Sequence, residues 1–106
     1  MANTYVSAKL DLTTTSVTTL YTSANLTTSI FKSILVSEDT GNADTITVTV
    51  TNGSDVYSLF KTKAIGANAT VELLSAPLVL QPTEILKVTA ATANRLHVVA
   101  SILEIT

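Results

Sequence analysis

Any chemistry in this chain would have to come from one histidine, eight carboxylates and a scatter of serines and threonines. His97 sits mid-strand between Leu96 and Val98. A nucleophile relay needs an acid on one side of the imidazole and an activated serine or cysteine on the other. The chain has no cysteine, and none of its serines lies in a Gly-x-Ser-x-Gly turn. His97 therefore reads as a partly buried or interface histidine. The carboxylates are Asp11, Glu38, Asp39, Asp44, Asp55, Glu72, Glu84 and Glu104. Glu38, Asp39 and Asp44 bracket one loop, but Glu38–Asp44 (EDTGNAD) lacks the alternating acidic offsets of a calcium loop. A glycosidase pair needs two carboxyls facing each other across a cleft, for which a domain this small has little room. Three glycines in all supply no phosphate-cradling loop. Tyr5, Tyr21, Tyr57, Phe31 and Phe60 are too scattered for a base-stacking platform or a carbohydrate stripe. The expectation is a protein that is not an enzyme and has no catalytic, metal or cofactor site.

The elements are strands. From Thr45 to Thr51 threonine alternates strictly with Ile46, Val48 and Val50, the period-two pattern of a half-buried strand built from β-branched residues. Asn52-Gly53 supplies the positive-φ positions of a tight turn, and the chain returns through Val56, Tyr57, Leu59 and Phe60. Before this hairpin, strands are predicted over Thr4–Leu12, Val17–Thr22 (anchored by Val17 and Tyr21) and Ser29–Glu38. Leu26 is expected to fold back as a plug. In Ser29–Glu38, simple alternation places Ile30, Lys32, Ile34, Val36 and Glu38 on one face and Phe31, Ser33, Leu35 and Ser37 on the other. Neither face is cleanly polar, as in a central strand. After the hairpin, strands are predicted over Ala69–Leu74 and Ile85–Thr92. Leu78–Leu80, between Pro77 and Pro82, belongs at an edge because proline cannot donate to a ladder. Arg95–Ile105 is apolar on both sides, which marks a strand that is central or covered by another subunit. No window keeps helical periodicity over three turns. The fold class is all-β: one domain over 1–106, an antiparallel sandwich of about eight strands, jelly-roll-like, with no substantial helix. Local pattern does not separate a jelly roll from another Greek-key sandwich.

Composition points toward assembly. A 106-residue chain buries roughly 60–65% of its unfolded surface, enough for a core but not a generous one. Apolar residues make up 46% and charged residues 13%, about half the usual charge, with twenty threonines keeping the surface wet. Such a domain has difficulty hiding its apolar surface alone. The six basic residues are dispersed and net charge is −2, so no patch exists to neutralise a run of phosphates. The first residues carry no basic leader or apolar run, and no segment approaches the ~20 apolar residues of a membrane span. The expectations are a chain made in a cytoplasm, with no nucleic-acid and no membrane partner.

Three stretches carry a resemblance: Ser29–Ser37 (SIFKSILVS); Ala67–Leu74 (ANATVELL) with Pro77–Leu80 (PLVL); and Ile85–Ala91 (ILKVTAA) leading to Val98–Ile105 (VVASILEI). They resemble small β-rich virion proteins of tailed bacteriophages, especially marine and cyanobacterial ones, which end on a similar Val-x-x-Ser-x-Leu-Glu strand. The resemblance runs from about residue 29 to the end and lies in strand patterns. It implies a structural role in the virion, as a capsid decoration or cement protein, a head fibre, or a neck or tail part. It implies no active-site residues. The corresponding partners would be the major capsid protein or other virion proteins, together with copies of the chain itself. A trimer is the order that matches local threefold points of a capsid. Within this reading His97, Val99, Leu103 and Ile105 are the oligomer-interface candidates. Asn3 and Tyr5, on the segment Ala2–Leu12, and Glu38, Asp39 and Asp44, on the loop, are the particle-contact candidates. A small carbohydrate-binding module is the alternative, and it would need exposed aromatics at one end of the sandwich.

Overall fold

The computed structural model describes residues 2–106. Nine antiparallel strands form two sheets: β1 (Asn3–Asp11), β2 (Thr18–Thr22), β3 (Thr28–Glu38), β4 (Asp44–Asn52), β5 (Asp55–Ile65), β6 (Thr70–Glu72), β7 (Leu78–Leu80), β8 (Ile85–Ala90) and β9 (Leu96–Ile105). One sheet runs β1-β9-β3 and is completed by β6 and β7, which pair with opposite halves of β3. The other runs β2-β8-β4-β5. Apart from the β4–β5 hairpin and the β6–β7 corner, every connection crosses from one sheet to the other. The chain is a two-layer antiparallel β-sandwich, as its alternation predicts.

The core lies between the sheets. Alternate residues point inward: Ile46, Val48 and Val50 from β4, Leu86, Val88 and Ala90 from β8, and Leu96, Val98, Ala100 and Ile102 from β9. Fully burying a Val, Leu or Ile side chain contributes about 1.5–3 kcal/mol. β9 is central in its sheet, hydrogen-bonded to β1 along one side and β3 along the other. Its inner row accounts for half of its apolar character. The outer row, from His97 to Ile105, stands on the open face of the sheet.

Four local expectations change. Alternation along β3 breaks at a bulge, where the register against β9 shifts between Phe31 and Ser33. The extra residue there, Lys32, lets Phe31 share the inner face with Ile34, Val36 and Glu38, while Ile30 and Leu35 face out. A bulge changes the parity of the residues that follow it, which simple alternation cannot register. Val17 precedes β2 and is exposed, so Tyr21 anchors this segment without it. Leu26 is 82% exposed at φ +64°, projecting from its turn instead of plugging the core. In the hairpin, Asn52 closes the ladder opposite Asp55, and Gly53 alone of the expected pair takes positive φ.

Candidate assembly surface

Polar side chains close both open ends of the sandwich. At one end Glu38, the last residue of β3, is 2% exposed. Its Oε1 accepts the backbone N–H groups of Gly41 at 3.0 Å, Asn42 at 3.1 Å and Asn68 at 3.0 Å. Its Oε2 accepts Thr40 N–H at 2.8 Å and the Thr40 hydroxyl. Burial pushes this carboxyl upward, but the Thr40 hydroxyl and the backbone N–H groups of Asn68, Thr40 and Gly41 outweigh it and hold the pKa down at about 2. Asp44 is also buried and accepts Thr92 N–H at 3.1 Å, while the Arg95 guanidinium donates to Ala43 C=O at 3.0 Å. The loop drawn from sequence as a particle contact is therefore organised from within. Glu38 and Asp44 turn inward, and because both are buried neither carboxylate is presented for contact with a particle. Asp39 stays exposed. Its Oδ2 lies 3.7 Å from His97 Nδ1, and Asp11 Oδ1 lies 3.3 Å from His97 Nε2. Both ring nitrogens can donate only when the imidazole carries its second proton.

At the other end Tyr21 spans the two sheets. Its hydroxyl shares a 2.8 Å hydrogen bond with Ser29 and donates to the Glu104 carboxylate. Ser29 shares a 2.9 Å bond with Ser23, which donates to Thr27 C=O at 2.8 Å. Burial, then the Glu104 carboxylate, pushes the Tyr21 phenol up. The Tyr21 ring meets Phe31 edge-to-face, centroids 5.4 Å apart. Sequence reading missed this clasp because its members lie up to 83 positions apart.

The four oligomer-interface candidates, His97, Val99, Leu103 and Ile105, line the outer side of β9 in one row. Strand register extends that row across the sheet. Leu103 stands between Tyr5 on β1 and Ile30 on β3, and Ile30 stands beside Val79 on β7. Tyr5, Leu103, Ile30 and Val79 thus form one apolar line across four strands, with Tyr5 75% and Val79 47% exposed. Four residues along, Lys9, Val99, Leu35 and Glu72 form a second line, apolar in the middle and charged at its ends. Ser7, Ser101 and Ser33 lie between the two. Asn3, a particle-contact candidate like Tyr5 and Asp39, is exposed opposite Ile105. Glu72 accepts Ile34 N–H at 2.8 Å, Leu74 N–H at 3.2 Å and the Ser33 hydroxyl. Burial pushes its carboxyl up, and these bonds bring it below the usual range.

Elsewhere, an open apolar groove of about 230 Å³ separates β5 from the β6–β7 corner, lined by Leu59, Phe60, Leu73, Leu74, Pro77 and Leu78 among others. Among the described residues no group of three or more His, Cys, Asp or Glu side chains is placed to hold a metal ion.

No protein-family model matches the sequence, and no curated protein matches it. Among solved structures the chain is similar to a pentameric capsid protein isolated from metagenomic phage sequences, with a TM-score of 0.45 and 16% identity. The match covers 92% of this chain and 59% of that one, so this chain spans less than two thirds of its length.

Proposed function

We propose that this chain is a structural protein of a tailed-phage virion, a decoration or cement subunit that binds the assembled capsid surface and stabilises it. The observation that carries the reading is the outer face of the β1-β9-β3 sheet. Tyr5, Leu103, Ile30, Val79, Val99 and Leu35 lie there in register, and no element among the described residues covers them. An apolar face rimmed by polar groups is what a subunit that works by association presents, with this face serving contact between copies and the chain edge and loop serving contact with the particle. The strand patterns shared with small virion proteins support the same role, and the strand order supports reading the winding as a jelly roll. The chain acts through contact and not through catalysis. Cement subunits bridge neighbouring capsomers at many copies, so each contact can be weak. Self-association belongs to this reading, with a trimer as the order that local threefold points select. The free chain edge at Asn3 and Tyr5 and the exposed Asp39 are the remaining candidates for contact with the particle.

Counting the protein in purified particles of the phage that encodes it, by quantitative mass spectrometry against the major capsid protein, tests this. Hundreds of copies are expected. A dozen or fewer would move the chain to the neck, tail or a fibre, and absence from the particle would overturn the virion reading. Loss of capsid binding on deleting Ala2–Val6 would assign the contact to the N-terminal edge.

A further inference from the structure

The outer face of the β1-β9-β3 sheet is complementary to itself. Its two lines each cross the sheet in the order β1, β9, β3, then β7 or β6. A two-fold axis lying in the contact plane and parallel to the strands reverses that order in the second copy. Tyr5 of each copy then meets Val79 of the other, Leu103 meets Ile30, Val99 meets Leu35, and Lys9 meets Glu72. In the line nearest the Glu38 end, Asp11 meets Thr70 and His97 meets Ser37, so no like charges face each other there. Lys9 and Glu72 are the informative pair. They occupy opposite edges of one sheet at the same level, and among the described residues neither has an opposite charge within 4.0 Å. The Lys9 ammonium donates to Ser7 Oγ at 2.6 Å. An axis perpendicular to the strands, passing through the serine line, would set Lys9 against Tyr5 and leave Glu72 over Val79.

We propose that this face is the seat of a second copy of the chain, two sandwiches packing sheet to sheet about a two-fold axis with reciprocal Lys9–Glu72 contacts closing the rim. The inference rests on the self-associating part of the function proposed above and makes a pair its first contact. Facing sheets pack about 10 Å apart with strands within about 30° of each other, close enough for these side chains to interdigitate. In an isologous contact each matched pair occurs twice, so one charge pair acts at both edges. Lys32, exposed in the β3 bulge, is the charge nearest the middle of the face, and its two copies approach across the axis. Removing it tightens the pair.

The test is sedimentation of the purified full chain over a range of concentrations. The mass is expected at two chains, or at six where pairs gather about a threefold. A monomer or a three-chain mass overturns the proposal. Lys9→Glu and Glu72→Lys each set like charges together and should weaken the pair about tenfold, while the double exchange should restore it to within about threefold of the native value. Single exchanges without effect, or a double variant that sums the two losses, overturn it. Glu72 also holds the β3 bulge, so Glu72→Gln gives a second cycle if Glu72→Lys does not fold. In that background Lys9→Glu should weaken the pair less than in the native chain, and an equal loss overturns the charge contact. Tyr5→Asp, on an exposed edge side chain, should give monomers, and Lys32→Ala should strengthen the pair. The assay contains no particle, so a pair that forms in a protein absent from virions separates this proposal from the virion reading.

Discussion

Glu38 Oε1 accepts the backbone N–H of Asn68 at 3.0 Å, joining the loop after β3 to the turn after β5 across 30 positions of sequence. That turn holds Asn68 at φ +55°, in the left-handed region. One buried carboxylate thereby satisfies donors from two loops and closes one end of the sandwich. Replacing Glu38 by Gln removes the charge and turns an NH2 group toward those donors. The melting temperature should fall by several degrees, more than for Asp55→Asn on the exposed hairpin. The pH dependence has a definite sign. The folded pKa lies below the ordinary 4.5, at about 2, so the contribution is fully present above 4.5 and is lost as pH falls toward 2. Thermal melts of both proteins at pH 7 and pH 2 should show the gap closing at the acid end.

Tyr21 and Phe31 tie the sheets together at the far end. Tyr21→Phe keeps the ring contact and deletes the hydroxyl shared with Ser29 and Glu104. A loss of about 1–3 kcal/mol is expected, the range for a hydrogen bond to a charged group together with the partners left behind. Phe31→Ala removes a side chain with no exposed surface and should cost about 3–5 kcal/mol, a large share of the stability of a domain this size. Urea titrations followed by circular dichroism measure both.

Gly53 takes φ +62° in the hairpin with open space around the position of a Cβ. Gly53→Ala meets no clash, so only the backbone penalty remains, about 1–2 kcal/mol. Gly53→Asn should lose less, since asparagine tolerates this region. Equal losses in urea titrations of the two variants would show that something other than the dihedral angle sets the preference.

Thr51 Oγ1 is buried and has no hydrogen-bond partner among the described residues. Thr51→Val exchanges that hydroxyl for a methyl group of similar size in a strand. Stability should stay level or rise by up to about 1 kcal/mol, because an unpaired polar atom leaves the interior. A loss beyond 1 kcal/mol on denaturation would mean that the hydroxyl has a partner in solution, such as a bound water.

Legibility followed periodicity. β4, β8 and β9 keep a period of two without interruption, so their inner rows could be named residue by residue from the sequence. β3 could be placed as a central strand, yet half of its face assignment inverted, because one inserted residue at Lys32 changes the parity of everything before or after it. Hydrophobicity alone places Val17 and Leu26 inside. Both lie outside, since burial depends on where a loop is carried and not on residue type. Glu38 and Asp44 had the composition of a surface loop, but beside the local donors of Thr40, Gly41 and Asn42 they accept Asn68 and Thr92, which nothing near them in sequence announces.

By itself the sequence determined that the chain is all-β, that the last strand is apolar on both sides, and that His97, Val99, Leu103 and Ile105 share one of them. Those properties follow from alternation within single strands, a local consequence of extended backbone. Only the tertiary structure decided which strands are neighbours. It set Tyr5, Leu103, Ile30 and Val79 in one line, put Lys9 and Glu72 at opposite ends of another, and turned Glu38 from a surface acid into the closure of the sandwich. Pairing of strands far apart in the chain is set by long-range packing and leaves no mark on the local pattern of either strand.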